Sequence, residues 1–326
     1  MRLVLPGLLV LLGSIGAAGR VPAETGVPPD AIGWLGKLAT ASRQHNYAGT
    51  FVYQHGGKLE TSRIVHWVDA SGESERLETL DGPMREIVRN NDNVIRYLPD
   101  LKTVLIEKRA RRRFPTALPE QLSNIPDNYV VRKGEHDRVA GLECQVIALE
   151  SRDNLRYGRE FCAELVTGLP LRARTFDEKN ELVDSFAFTE VAIGNAVSKK
   201  MLKSRYASKS KTWRVYRPAL EQIETNADTG WVLKNRPAGF KKLTEIRRSI
   251  AGRSTQVSHI VYSDGLAAVS IFIEPMPKPP PLAGPTYQGA VNIYVKPQAG
   301  QIVTVVGETP ARTVKQIAES LSSRGH

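Results

Sequence analysis

From Tyr47 to Val191 the chain alternates apolar and polar residues with a period of two, in short runs separated by turn signals. This pattern constrains the fold more than any other feature. The run Tyr47-Ala48-Gly49-Thr50-Phe51-Val52-Tyr53 is followed by a Gly56-Gly57 turn, a second run over 59–68 and the turn Asp69-Ala70-Ser71-Gly72. Further strands are predicted over 74–80, 84–89, 93–98 and 101–108, and after an irregular stretch over 129–132, 142–149, 159–165, 171–176 and 182–191. That makes about ten antiparallel strands at hairpin spacing. A single helix precedes them: Asp30 can cap it, Ile32, Trp34, Leu35, Leu38 and Ala41 share one side, and it ends near His45-Asn46. A two-sheet sandwich has no obvious place for such a helix. The fold expected is a large curved antiparallel sheet wrapped around it.

The 326 residues are enough for two domains. Residues 199–217 carry eight basic and no acidic side chains and read as a linker between a first domain, 24–198, and a second, 218–326. The second domain alternates strands near 231–233, 240–250, 255–262, 267–273, 290–295 and 302–307 with a Ser263-Asp264-Gly265 turn and a Pro-rich loop over 274–281. It closes on a helix over 309–321, with Pro310 at its first position and Val314, Ile317, Ala318 and Leu321 on one side. The second domain is therefore α+β, a smaller antiparallel sheet with a C-terminal helix.

Arg2, the apolar run from Leu3 to Leu12 and the small residues Gly16 to Gly19 have the pattern of a cleaved signal peptide, residues 1–23, with the cut after Gly19 or Ala23. The chain is basic, with 45 Lys and Arg against 34 Asp and Glu, and losing Arg2 and Arg20 still leaves a clear excess. Export turns that excess away from nucleic acid and toward anions of the cell envelope, such as lipid headgroups or an acidic protein segment. The two cysteines, Cys144 and Cys162, fall in neighbouring strands; in an oxidising compartment they read as a disulfide, with two buried free thiols as the alternative.

No pattern carries catalysis or metal binding. The six histidines form no H-E-x-x-H pair, and nucleophile elbows, phosphate loops and dinucleotide fingerprints are missing. Neither a metal nor a cofactor is expected, and the chain does not read as an enzyme. What remains is surface and cavity. Arg109, Arg111, Arg112 and Arg113, next to Lys108, form either a solvated loop or a site for phosphates and carboxylates. The alternating aromatics, Trp67 and Tyr97 among them, are core or the lining of an apolar hollow that could take acyl chains.

The order of these features resembles the RseB/MucB family. The resemblance rests on the signal peptide, the Tyr47–Tyr53 run, the basic segment ending in Arg113-Phe114-Pro115 and followed by Leu118-Pro119, and the segment 257–273 with Tyr262-Ser263-Asp264-Gly265-Leu266. It spans nearly the whole chain after the signal peptide. It implies a periplasmic negative regulator of the sigma-E (AlgU-type) envelope stress response. Such a protein binds the periplasmic domain of an RseA/MucA-type anti-sigma factor, shields it from regulated proteolysis, and is released by lipopolysaccharide or lipoprotein acyl chains. It further implies a LolA/LolB-like half-barrel for the first domain and no catalytic residues. Trp231, Phe240, Arg247 and Tyr262 are the candidates for partner contact in the second domain, and a homo-oligomer is left open. The alternative is a periplasmic lipid or lipoprotein carrier using the hollow, which would not obviously need a second domain.

Overall fold

A computed structural model describes residues 29–108, 118, 122–217, 223–225, 227–249 and 256–324. The signal peptide and the cluster Arg109, Arg111, Arg112 and Arg113 lie outside the described residues. The opening helix, α1, runs over Pro29–Gln44. Asp30 sits inside its first turn, not ahead of it, and its carboxylate accepts a hydrogen bond from Lys133 Nζ at 2.5 Å.

The period-two runs become β1 (Tyr47–His55), β2 (Lys58–Asp69), β3 (Gly72–Thr79), β4 (Glu86–Asn90), β5 (Asn93–Leu98) and β6 (Thr103–Lys108). After the one-turn helix α2 (Ile125–Asn128) come β7 (Tyr129–Val139), β8 (Leu142–Ser151), β9 (Gly158–Glu164), β10 (Pro170–Phe176) and β11 (Leu182–Ile193). These eleven strands and a short β12 (Arg214–Tyr216) form one twelve-stranded sheet in the order β12-β6-β5-β4-β3-β2-β1-β11-β10-β9-β8-β7. All pairings are antiparallel except β12, which runs parallel to β6.

The register decides which residues share a face. Tyr47, Phe51, Ile64, Phe186 and Phe188 cluster on one side, and there Leu35 and Leu38 of α1 pack with Val131, Ile147, Leu149 and Phe161. The helix thus lies against β7–β10, half of the concave side. Val139, at the end of β7, joins the cluster of Phe186 and Phe188 on β11, so the sheet curls back on itself at this end. Gly49 makes the curl possible: a Cβ there would stand 2.4 Å from the Glu190 carbonyl and 2.9 Å from the Phe188 ring. Cys144 and Cys162 are joined in a disulfide between β8 and β9.

The second domain contains β13 (Ile223–Thr225), β14 (Trp231–Leu233), β15 (Lys241–Ser249), β16 (Gln256–Ser263), β17 (Ala268–Pro275), β18 (Gly284–Gln288), β19 (Val291–Gln298) and β20 (Gln301–Gly307), then α3 (Ala311–Ser320) and β21 (Leu321–Ser323). Seven of these strands form a sheet ordered β13-β15-β16-β17-β20-β19-β18, and β14 pairs with β21. Val314, Ile317 and Ala318 of α3 pack on Ile260, Val269, Ile271, Val303 and Val305. Pro310 caps α3 from an extended conformation (φ −51°, ψ 149°), one step before the position expected for it.

Residues 199–217 connect the domains without hanging free. They cross the convex face of the first sheet as short 3-10 turns at Lys199–Leu202 and Lys209–Thr212, and end as β12.

Candidate functional site

The turn between β16 and β17 is where the second domain reaches into the first. Asp264 Oδ1 accepts the backbone N–H groups of Leu266 (2.9 Å) and Ala267 (2.7 Å), while Ser263 Oγ accepts from Gly265 N at 3.0 Å and donates to the Ala267 carbonyl at 2.8 Å. An Asx-type turn of this kind fixes its own carboxylate. The free oxygen, Oδ2, then faces the first domain, where Arg156 Nε donates to it at 2.7 Å and the Tyr129 hydroxyl at 3.2 Å. Arg156 also donates to the Asp153 carboxylate and, at 2.6 Å, to the Ala238 carbonyl. Its guanidinium stands 5.2 Å from the centre of the Phe240 ring. The side chains of Arg156 and Asp264 are 1% and 0% exposed, so each charge depends on the other for compensation. Burial first, then the Asp264 charge, pushes the Tyr129 hydroxyl well above its usual range, which keeps it a proton donor.

Leu266, two residues on, enters the first domain's core beside Leu35 and Leu38 of α1. Around it the seam is closed by Asn292 Nδ2 donating to the Tyr157 hydroxyl (2.9 Å), Thr313 Oγ1 donating to the Leu155 carbonyl (2.7 Å), and the pairs Arg159–Glu308 (3.2 Å) and Arg312–Glu178 (2.6 Å). Gly239 has φ +80°, which strains any other residue, and a Cβ there would fall 2.1 Å from the Asn128 carboxamide oxygen, which would have to move. Beside the buried pair lies a cleft of about 610 Å³ lined by Arg152, Asp153, Asn154, Arg159, Glu160, Phe176, Asp177 and Glu178. Its mixed charge suits a polar peptide more than an acyl chain.

The concave side of the first sheet has two characters. Over β1 and β11 it is aromatic and filled, with Phe51, Phe186 and Phe188 at most 4% exposed. Over β2–β4 it turns polar: His66, Glu75 and Arg89 stand in register on adjacent strands. Desolvation, only partly offset by Arg89 and reinforced by Glu73, pushes the Glu75 carboxyl up to about 7. Burial lowers His66, whose ring stacks on Tyr47 at 4.9 Å between centroids.

Trp67 and Tyr97 do not line this hollow. Register puts them on the convex face: Trp67 packs near Ala48, Val65, Val197 and Leu202, and Tyr97 is buried 6.3 Å from the Tyr206 ring. They lie beneath the 199–217 segment and hold it there. That segment is tied by Lys199 to Asp69 (2.7 Å), by the Ser204 hydroxyl and the Arg205 backbone N–H (3.1 Å) to Glu86, and by the Arg205 guanidinium to Glu78. Glu86 is fully buried and shares Arg76 with Glu78 at 2.8 and 2.9 Å. Desolvation raises Glu78, but Arg205 and Arg76 more than offset it and hold the carboxyl below its usual range.

Of the second-domain candidates, Trp231, Phe240 and Tyr262 sit in the core of the second domain. They are 7%, 1% and 7% exposed and join the apolar cluster under α3, Trp231 and Tyr262 from strands β14 and β16 and Phe240 from the turn before β15. Arg247 is at the surface, donating to the Asp228 carbonyl at 2.7 Å and standing 3.9 Å from Glu224. The residues that join the domains, Arg156, Asp264, Tyr129 and Leu266, were not singled out for that role from sequence. The only signal was the Ser-Asp-Gly-Leu turn. Among the described residues no three His, Cys, Asp or Glu side chains are grouped to hold a metal ion, and no helix is long and apolar enough to cross a membrane.

Comparison with known proteins agrees with both halves of this description. The family described as MucB/RseB N-terminal domain matches residues 30–206, and the MucB/RseB C-terminal domain matches residues 225–322. The chain is 34% identical to the sigma factor AlgU regulatory protein MucB of Pseudomonas aeruginosa, over 96% of each chain. It is 23% identical to the sigma-E factor regulatory protein RseB of Escherichia coli K12, over 92% of each. Its structure superposes on MucB in the Pseudomonas aeruginosa MucA/MucB complex with a TM-score of 0.70 and 30% identity, covering 90% of this chain and 99% of that one. With both domains matched in order and the seam joining them, the chain belongs to the MucB/RseB family.

Proposed function

We propose that this protein is a periplasmic regulator that binds the periplasmic region of a MucA/RseA-type anti-sigma factor and protects it from regulated proteolysis. One observation carries the reading: the superposition at a TM-score of 0.70 on MucB bound to MucA(peri) spans 90% of this chain, more than either domain alone. Supporting it, the Arg156–Asp264 pair and the Leu266 contact fix one domain against the other, so a partner can be gripped by both at once. A lipid signal, lipopolysaccharide or lipoprotein acyl chains, would release the partner by favouring a different arrangement of the two domains. That requires lipid and partner to differ in affinity for the two arrangements.

The test is a cleavage assay with the site-1 protease and the anti-sigma periplasmic region. Adding this protein should slow cleavage, and adding lipopolysaccharide should restore it. Cleavage at an unchanged rate in the presence of excess folded protein would refute the protective role; protection that persists with lipid would refute the release step alone.

A further inference from the structure

The segment 199–217 holds eight cations and no anion, and the structure shows where they go. Lys199 and Arg205 are neutralised by Asp69 and Glu78. Lys200, Lys203, Lys209, Lys211, Arg214 and Arg217 are exposed and make no ion pair among the described residues. A free linker with this composition would scatter its charges. Here the segment is fastened along its length: by Glu86 and Glu78 in the middle, by the Tyr97–Tyr206–Trp213 ring contacts at 6.3 and 5.9 Å, and by the pairing of β12 with β6 at the end. The fixed strap crosses from the end of β2, at Asp69, to β6, four strand spacings or about 19 Å. Between and beside the cations stand exposed apolar side chains: Met201 at 42%, Val215 at 46% and Tyr216 at 50%. A depression of about 540 Å³ opens beside Lys200 and Lys203.

We infer that this strap is a docking surface for an anionic lipid bilayer. Charge complementarity selects the occupant. Four of the six unpaired cations are lysines, compact point charges that suit a diffuse anionic field, where carboxylate recognition favours guanidinium forks. They are spread along the convex face and not gathered around one pocket, and the neighbouring Met, Val and Tyr side chains match the apolar and aromatic component of interfacial binding. The depression beside Lys200 and Lys203 has room for a lipid headgroup. The surface is on the side of the sheet opposite α1, so membrane contact leaves the concave side and the seam open to a partner. It goes beyond the regulatory reading and does not depend on it.

The test is flotation of the full-length mature protein with vesicles of phosphatidylcholine alone and of phosphatidylcholine with phosphatidylglycerol. Binding is expected only to the anionic vesicles, falling steeply with salt. The variant K209Q/K211Q should bind about thirtyfold more weakly, from roughly 1 kcal/mol per charge near an anionic surface. Reversing all four lysines, K200E/K203E/K209E/K211E, should abolish flotation. Because these side chains make no ion pair among the described residues, the thermal transition of K209Q/K211Q should match that of the parent; if the fourfold variant does not fold, the double variant decides. Equal binding to neutral vesicles, no binding to anionic ones, or undiminished binding by K209Q/K211Q would each overturn the assignment. So would a Glu-rich peptide that binds the strap more tightly than the vesicles do, which would make it a protein-docking surface.

Discussion

Arg156 and Asp264 show how a single pair can join two domains. The turn holds one carboxylate oxygen with its own backbone, and the other oxygen is left for Arg156 and Tyr129 across the seam. Removing Arg156 strands a buried carboxylate, a loss of about 3–5 kcal/mol. Arg156→Ala should therefore split the thermal unfolding of the chain into two calorimetric transitions, the second domain no longer melting with the first. A single transition at the parent temperature would remove Arg156 from this role. Glu75 offers a pH test. Its carboxyl, raised from 4.5 to about 7, binds a proton more tightly in the folded state than in the unfolded one. Its contribution is complete below about pH 4.5 and is lost as pH rises through about 7. Glu75→Gln should accordingly flatten the fall in stability between those values and gain on the order of 1–3 kcal/mol at pH 8, read by urea unfolding. His66 acts with the opposite sign: lowered by burial, its neutral ring costs stability only as pH falls below its ordinary range. Neither role was legible in the sequence. Arg156 and Glu75 are ordinary charged residues in strand-rich segments, and only tertiary neighbours tell a buried charge from a solvated one.

At the scale of elements, more could be read ahead of the structure. Alternation of side chains marks most strands of the first sheet to within a few residues, because a half-buried strand must point every second residue inward, but it ends β7 at 132 where the strand runs to Val139. Alternation cannot say which face is concave, and so it leaves Trp67 and Tyr97 as either core or lining of the hollow; they lie beneath the strap. The same limit explains Trp231, Phe240 and Tyr262: an aromatic residue in a strand reads alike whether it meets a core or a partner. The twelfth member of the sheet is harder still to read, since β12 has three residues and owes its existence to pairing with β6. Residues 199–217 read only as a linker because their sequence is polar and basic; their fixed path comes from Glu78 and Glu86, more than a hundred residues earlier. The disulfide, by contrast, followed from compartment and count. Cys144 and Cys162 are 18 residues apart in sequence, and closing that loop restricts the unfolded chain. Cys144→Ser with Cys162→Ser should lower the stability of the first domain by about 2–5 kcal/mol, measured by denaturant unfolding under non-reducing conditions. No loss would mean that the neighbouring β8 and β9 need no covalent tie.

For the whole molecule, the two domains meet at one buried seam. The first supplies a curled sheet with a helix on half of its concave side, the second a smaller sheet backed by α3, and the turn carrying Asp264 and Leu266 joins them with a charge and an apolar side chain two residues apart. A carrier that only shuttles lipid would have little need for that joint. A regulator that must hold a segment of another protein, and let it go, needs two bodies whose arrangement can change. The most direct measurement is titration calorimetry of the intact mature protein with the periplasmic region of a MucA/RseA-type anti-sigma factor from the same organism. The account expects saturable binding, weakened in Arg156→Ala while each domain remains folded. Heat no different from dilution, with a protein shown to be folded, would contradict it.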